Sequence, residues 1–270
     1  MMKRTSLFQI MAILFIAAFS TALAQLDSPS GVVASDFTFT VAADRLVLQA
    51  APIQRLELQF GTHIQHGLPE QDAYIEKVPG SGQIFRATEA DMESYGNAQL
   101  YATMGPNRHN PFDAAANGPY VKGRPLGITL AEWLAAAGTA SYACADNRGT
   151  VTASFENLVP QGLYTVWYFF VPTPHLEPHQ GAYDLPLGAR DGSDNTFRAD
   201  AEGNATLEVS FEPCLQLSGV QLAAGLGVAW HSNDLAYGAS PGAFGYITHA
   251  QIFTMFPKEE EIETDTATLE

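Results

Sequence analysis

The feature that most constrains the fold is a series of strand-length segments in the second half of the chain with no helix between them. Apolar and β-branched residues alternate or run together in each segment, and turn residues such as Pro160, Gly162 and Gly242 separate them. The segments are 149–155, 163–171, 196–199, 204–211, 226–230 and 247–256. Strands joined by short connections without crossover helices pair antiparallel. The sequence therefore predicts an all-β fold, an antiparallel Greek-key sandwich or barrel.

The first half of the chain predicts further strands, then a long irregular excursion. Segments 37–41, 46–49 and 56–60 have strand patterns. From 61 to 124, glycine, proline and asparagine are frequent and only 97–104 has the pattern of a strand, which predicts a large excursion from the sandwich.

One short helix is predicted after this excursion. Thr129 and Glu132 have the spacing of a capping box at the start of a helix, and Gly138 is placed to end it. A helix this short is expected to cover one end of the sheet.

The N-terminus has the pattern of a signal peptide. MMKR is basic, LFQIMAILFIAAF is apolar, and small residues before Gln25 predict cleavage after Ala24. Neither this run nor any later segment has the roughly 18 apolar residues of a membrane-spanning helix. The prediction is a secreted protein, periplasmic or extracellular, with a signal peptide at 1–24, a single β-sandwich domain at 25–257 and a disordered acidic tail at 258–270.

The charge of the chain limits its possible binding partners, and its cysteines bear on the cellular compartment in which it folds. The chain has 13 Lys and Arg against 29 Asp and Glu, a net charge of −16. Such an acidic chain repels phosphate backbones, so nucleic acid is excluded as a partner. Cys144 and Cys214 are the two cysteines, and in an exported chain they are expected to form a disulfide, with two buried thiols as the alternative.

Four motifs in the second half occur in a recognisable order. They are NLVPQGLYTV, PHLEPHQGA, RADAEGNATLEV, and LQLSG followed by GLGVAWHSNDLAYG. In this order they resemble the strand-leading turn, the metal loop, the following hairpin and the copper-histidine segment of the copper/zinc superoxide dismutase family. The resemblance, which places the family-like part at 156–256, implies a distant β-sandwich of that type. It also implies that His231 occupies the position of a copper ligand.

The chain departs from the family at the copper site. The family has a His-x-His pair on the strand after the Pro-Gly turn, where alternate residues face one side. The corresponding segment, YTVWYFF at 164–170, has aromatic or aliphatic residues where those histidines would fall, and PGAFGYITHAQIF offers no counterpart to the family's substrate-steering arginine. We therefore predict a secreted, non-enzymatic sandwich without dismutase activity, acting as a binding or cell-envelope module.

The alternative prediction is a zinc or copper protein. His175 and His179 flank Leu-Glu-Pro and lie where the resemblance implies the family's bridging and zinc histidines. Asp194 or Asp184 would add a carboxylate and His231 a further imidazole, a mixture of donors that tetrahedral zinc accepts. The predicted ligands are His175, His179, Asp194 and His231, with a hydrolytic or redox role. A proline-stiffened surface loop with solvated histidines is the competing interpretation.

Ser232 and His249 are not predicted to belong to a catalytic or metal site. Ser232 is not predicted to be a nucleophile activated by His231, because neighbours on a strand point to opposite faces and no nucleophile-elbow motif is present. His249 lies in the alternating segment YITHAQIF and is predicted to pack or hydrogen-bond at a sheet surface.

The excursion is the predicted recognition surface. Tyr95, Tyr101 and Phe112 lie in it, and an exposed aromatic cluster there would favour contact with a protein or carbohydrate ligand. Asn204-Ala-Thr206 fits a glycosylation sequon, whose use depends on the host.

Overall fold

A computed structural model of the chain describes strands 37–42 and 45–50 and residues 55–62, 73–107, 118–172, 183–215, 218–219 and 222–257. These residues all lie within one compact unit, Val33–Glu270. Antiparallel strands dominate the described chain and helices are few and short, which confirms the all-β prediction.

The described strands are numbered in chain order. They are β1 (Phe37–Ala42), β2 (Arg45–Ala50), β3 (Leu56–Phe60), β4 (Tyr74–Ile75), β5 (Gln83–Arg86), β6 (Gln99–Thr103), β7 (Tyr120–Thr129), β8 (Ala137–Ala145), β9 (Arg148–Glu156), β10 (Leu163–Pro172), β11 (Tyr183–Pro186), β12 (Thr196–Arg198), β13 (Ala205–Phe211), β14 (Ser218–Gly219), β15 (Leu222–His231) and β16 (Thr248–Met255). The helices are a 3-10 turn at Glu89–Asp91, α1 (Met92–Tyr95) and α2 (Leu130–Leu134).

Two antiparallel sheets form the sandwich. The first has the strand order β13-β9-β8-β3. In the second, β10 and β15 pair centrally, β11 and β12 pair with β10, and β14 and β16 pair with β15. A bridge between Gly61 and Phe253 joins the first sheet to the second beyond the end of β3. Strands β1 and β2 pair with each other as a separate hairpin.

Aromatic rings fill the space between the two sheets. Phe155 of β9 stacks on Phe197 of β12 with centroids 5.0 Å apart, and Phe197 stacks on Tyr164 of β10 at 5.4 Å. Phe60 of β3 contacts Phe155 edge to face at 5.3 Å. Residues of β9 alternate between buried and outward positions, as the period-2 pattern of the sequence predicted. The stack therefore fixes the inner face of each strand that it touches.

A buried polar chain attaches α2 to the second sheet. The Tyr164 hydroxyl accepts a hydrogen bond from the Val159 amide (2.8 Å) and donates to the Gln251 side-chain oxygen (2.8 Å). Gln251 in turn donates to the carbonyl oxygen of Trp133 in α2 (3.2 Å). Burial raises the pKa of Tyr164, so the hydroxyl stays protonated and can donate.

The segment predicted as an irregular excursion contains a small closed barrel with the strand order β4-β5-β7-β6. The sequence revealed only the strand near 97–104, because the others are short or contain breakers. In β7, a Cβ atom on Gly123 would lie 2.7 Å from the carbonyl oxygens of Ala102 and Thr103, so glycine there permits close approach of β6 and β7. Residues that usually mark loops are thus part of a strand.

The predicted capping box is present at α2, and the predicted end of the helix is wrong. The Thr129 hydroxyl accepts from the Glu132 amide while the Glu132 carboxylate accepts from the Thr129 amide. The helix ends at Leu134 with Ala135 as its C-cap, and Gly138 lies in β8. A Cβ atom on Gly138 would lie 2.6 Å from a ring carbon of Phe155, so this glycine makes room for a core ring.

Cys144 and Cys214 form a disulfide between the end of β8 and the segment after β13. Next to it, the buried hydroxyl of Tyr142 accepts a hydrogen bond from the Leu215 amide (3.0 Å). Together these two contacts hold the chain to the first sheet just before it enters β14 and β15.

Replacing Tyr142 with phenylalanine is expected to lower the free energy of unfolding by about 1–3 kcal/mol. The buried Leu215 amide would lose its acceptor, and an unsatisfied buried donor carries its full desolvation cost. Urea unfolding measures the change. Tyr246→Phe is the matched control, because Tyr246 is 43% exposed, and it should change stability by less than about 0.5 kcal/mol. Equal stability of wild type and Tyr142→Phe would contradict the expectation.

Candidate functional site

A covered polar cluster surrounds His231 on the outer face of the second sheet. The β10–β15 register pairs Leu163 with His231 and Thr165 with Ala229, so Thr165 and Trp167 share a face with His231. All three side chains are at most 3% exposed. The opposite face of these strands carries Tyr164 and contributes to the core.

The loop before β16 lies over His231 and packs against the loop before β12. Gly192 of the loop before β12 approaches Gly238 of the loop before β16 so closely that a Cβ atom would lie 2.1 Å from the Gly238 carbonyl oxygen. The Tyr237 ring lies 5.8 Å from the His231 ring, centroid to centroid. Both glycines have positive φ, which only glycine adopts without strain. The loop that carries Tyr237 therefore covers His231, and the loop that contains Gly192 packs against it.

The hydrogen bonds around His231 specify its tautomer. The Thr248 hydroxyl donates its proton to the Pro241 carbonyl oxygen (2.7 Å), so towards His231 Nδ1, 3.4 Å away, it acts as an acceptor. Nδ1 therefore carries the proton. Nε2 is then an acceptor, and the Thr165 hydroxyl donates to it at 2.7 Å while accepting from the indole N–H of Trp167 (2.7 Å).

Burial lowers the pKa of His231 to about 4. The ring is therefore neutral at pH 7, in agreement with its one donor and one acceptor contact. If Nε2 also carried a proton, that proton would point at the Thr165 hydroxyl oxygen. This oxygen already accepts a hydrogen bond from the Trp167 indole N–H.

The cluster does not fit a copper site of the kind that the resemblance implies. The two residues of β10 that share a face with His231 are Thr165 and Trp167, and neither an alcohol nor an indole is a copper ligand of the imidazole type. The Nε2 lone pair of His231 is occupied by Thr165. Across the described part of the chain, no group of three or more His, Cys, Asp and Glu side chains is arranged to hold a metal ion.

The predicted zinc set stays a prediction. His175 and His179 lie outside the described residues. Asp194 is exposed and accepts from the Ala189 amide (3.2 Å) in its own loop. Asp194 precedes β12, whose Thr196 pairs with Thr165 on the side of β10 away from β15. The four-residue ligand set therefore stays a prediction.

Asp184, the other predicted carboxylate, lies on β11. It pairs with Phe169 of β10 and is exposed.

A second polar cluster lies where β7 of the small barrel meets the ends of β15 and β16. The Ser232 hydroxyl lies 2.9 Å from Nε2 of His249, and Nη2 of Arg124 donates to the same hydroxyl (2.6 Å) and to the Ser232 carbonyl oxygen (2.7 Å). Ser232 is partly exposed, Arg124 is exposed and His249 is buried. The Ile247 carbonyl oxygen lies 3.2 Å from the Ser232 hydroxyl as a competing acceptor.

Two indoles border the His249 ring. The ring centroids of Trp230 and His249 are 5.5 Å apart, and the edge-on contact of His249 with Trp133 of α2 is 6.4 Å. The sequence correctly predicted that the side chains of Ser232 and His231 point to opposite faces. It did not predict the Ser232–His249 contact, because that depends on the register that pairs Trp230 with His249 across the β15–β16 hairpin.

The small barrel exposes a row of apolar side chains. Val121 of β7 is 64% exposed and Met104, which follows β6, is 62% exposed. The Met104 amide donates to the Val121 carbonyl oxygen (3.0 Å), so the two residues are neighbours. Val78, in the turn between β4 and β5, is 63% exposed. We call Val78, Met104 and Val121 the apolar row.

The aromatic residues predicted to form the recognition surface are arranged differently. Tyr95 and Tyr101 are only partly exposed, and the Lys122 ammonium group lies 5.0 Å from the centre of the Tyr101 ring. Phe112 lies outside the described residues. Among the described residues of this region, the large hydrophobic side chains that are exposed are aliphatic.

Fold and site define a β-sandwich with an attached small barrel and a covered polar cluster on its outer face. A search of family models finds no match, and a search of curated proteins finds none. Among solved structures, the Cu/Zn superoxide dismutase from Brucella abortus is 14% identical, with 59% of this chain and 97% of that chain covered and a TM-score of 0.24. It belongs to the family that the sequence motifs resemble. Such an identity and TM-score say nothing about activity or metal content.

The described helices include none that is long and apolar enough to cross a membrane.

Proposed function

We propose that this chain is an exported β-sandwich protein that acts as a binding module and presents the apolar row to a protein partner. The observation that carries the proposal is the adjacency of Met104 and Val121, each more than 60% exposed, on the small barrel. Large apolar side chains grouped at a surface mark interaction sites, whereas scattered ones need no explanation.

The surroundings of the apolar row support a protein contact. Lys122, next to Val121, forms an ion pair with Glu76 (2.8 Å), and Lys77 forms one with Asp91 (2.7 Å). An apolar centre with a charged rim is the usual arrangement of a protein interface, and methionine is enriched there. Carbohydrate recognition favours exposed aromatic faces, and the described ring of Tyr101 is covered by Lys122.

The His231 cluster supports a binding role over a copper role. Its hydrogen bonds are internally satisfied and the loop carrying Tyr237 is packed over it. It therefore has the properties of a structural support that fixes the loop carrying Tyr237.

The proposal predicts that Met104→Ser combined with Val121→Ser abolishes partner binding without lowering stability. The side chains contribute little to folding, because they are mostly exposed. Wild type and variant, each carrying a photocrosslinking residue in place of Gln83, would be compared in an extract of the native export compartment. Gln83 is exposed and pairs with Val121. A crosslinked protein band present for wild type and absent for the double variant is expected.

Leu235→Ser is the matched control, because Leu235 is an apolar residue that is 58% exposed in the loop before β16. Its crosslinked band should equal that of wild type. A band of equal intensity for the double variant, or no band specific to position 83, would contradict the proposal.

A further inference from the structure

We propose that Ser232 is a nucleophile, with His249 as its general base and Arg124 as a donor to the developing oxyanion, acting on activated acyl esters. The inference concerns residues outside the apolar row, so it goes beyond the proposed binding function. The binding proposal and the nucleophile proposal can fail independently of each other. It would correct the sequence prediction that the chain is not an enzyme.

The distances at Ser232 match those of an activated hydroxyl. A serine hydroxyl attacks efficiently only when a base lies within hydrogen-bonding reach, about 2.6–3.2 Å, and His249 Nε2 lies at 2.9 Å. The Ile247 carbonyl oxygen competes for the single hydroxyl proton from a longer distance, 3.2 Å. The shorter contact favours the arrangement in which the proton points at His249.

An aromatic ring borders the His249 ring, which becomes charged during attack. When Nε2 takes the serine proton, the ring becomes an imidazolium. The Trp230 indole lies 5.5 Å from it, within the range over which an aromatic face attracts a cation.

Arg124 supplies a fixed positive group on the exposed side of Ser232. Its Nη2 donates at 2.6 Å to the hydroxyl and is held by the Ser232 carbonyl oxygen at 2.7 Å. An oxyanion formed on a carbonyl carbon bonded to Oγ would lie next to this guanidinium. Donors placed where negative charge develops stabilise a tetrahedral intermediate. The exposure of Arg124 and partial exposure of Ser232 leave this side open to substrate.

The chemical steps balance without a cofactor. The Ser232 oxygen forms a bond to the acyl carbon and its proton passes to Nε2 of His249. The ester C–O bond breaks, and the leaving alkoxide or phenolate takes that proton. Water then attacks the acyl group with His249 again as base, which releases the acid and restores the serine.

The test uses an alkyl fluorophosphonate on the full-length protein. The Ser232 oxygen would bond to phosphorus and the P–F bond would break, with fluoride released and the proton taken by His249. Mass spectrometry of the digested protein is expected to locate the adduct on the peptide that contains Ser232. Ser232→Ala should give no adduct. Arg124→Met, altered at an exposed side chain, should lower the labelling rate by roughly 100-fold.

Ser154→Ala is the matched control, because Ser154 is an exposed serine on β9, and it should be labelled at the wild-type rate. The tautomer of His249, read from ¹⁵N chemical shifts of the unmodified protein, is a second measurement that needs no variant. A proton on Nδ1 is expected, with Nε2 accepting the hydrogen bond from the Ser232 hydroxyl. A proton on Nε2, labelling spread over several serines, or no labelling of the folded wild type would overturn the proposal.

Discussion

Replacing Cys144 and Cys214 together with alanine is expected to lower the free energy of unfolding by about 4 kcal/mol. The bond joins residues 70 apart in the sequence. In the chain-entropy model, a bond that closes a loop of that length lowers the conformational entropy of the unfolded chain and thereby stabilises the folded chain. Since stabilities of single domains are about 5–15 kcal/mol in total, this change should be visible as a large fall in the urea midpoint.

The double replacement also tests how the segment that leads to the second sheet is held in place. Cys214 is fully buried and Leu215, next to it, donates to Tyr142. Without the bond, the hydrogen bond from Leu215 to Tyr142 would remain as a contact between this segment and the first sheet. We therefore expect the remaining stability of the double variant to depend more strongly on Tyr142 than that of wild type does.

The control for this experiment is reduction of the wild type. Unfolding in the presence of a strong thiol reductant should move the wild-type midpoint towards that of the double variant and leave the variant unchanged. Equal midpoints for oxidised wild type and the variant would contradict a stabilising role of the bond. A variant that is sensitive to reductant would show that the treatment acts elsewhere.

Regular strands in the second half could be predicted from the sequence, because each buries one face and so has a period of two. The pattern over 149–155 corresponds to β9 and that over 163–171 to β10, with ends shifted by a residue or so. β8 was not predicted, since its inward residues include Gly138, Ala140 and Cys144, and small side chains give a weak hydrophobic pattern.

The candidate sites were less predictable, because they depend on register. Ser232 and His249 are 17 residues apart and meet only through the β15–β16 pairing. Sequence spacing correctly placed His231 and Ser232 on opposite faces, and it did not identify which residues each face contacts. The Thr165 hydroxyl as the partner of His231 was likewise unpredictable, since nothing in YTVWYFF indicates which alternate residues face the covering loop.

The second large effect is expected in the pH dependence of stability. Between about pH 6.5 and pH 4, wild type should lose about 3 kcal/mol more stability than His231→Gln. The pKa of His231 is about 4 in the folded chain and 6.5 as a free side chain, so between these values the unfolded chain binds the extra proton and the folded chain does not. The contribution of His231 to the free energy of unfolding is therefore fully present above pH 6.5 and decreases as the pH falls towards 4.

Urea unfolding of both proteins at several pH values between 4 and 7 measures the effect. The difference between the two curves isolates His231, because all other titrating groups are shared. Glutamine keeps a side-chain amide near Thr165 and has no titrating ring. Parallel curves for the two proteins would contradict a neutral, buried His231.

The same pair of proteins distinguishes the covered polar cluster from the metal alternative. A zinc or copper ion bound through Nε2 must displace the Thr165 hydroxyl, and a ligand that binds only the folded chain raises its stability by mass action. If the cluster is structural, adding zinc at pH 7 should stabilise wild type and His231→Gln equally or not at all. A gain confined to wild type would instead assign His231 to a metal site and require the covering loop to rearrange around it.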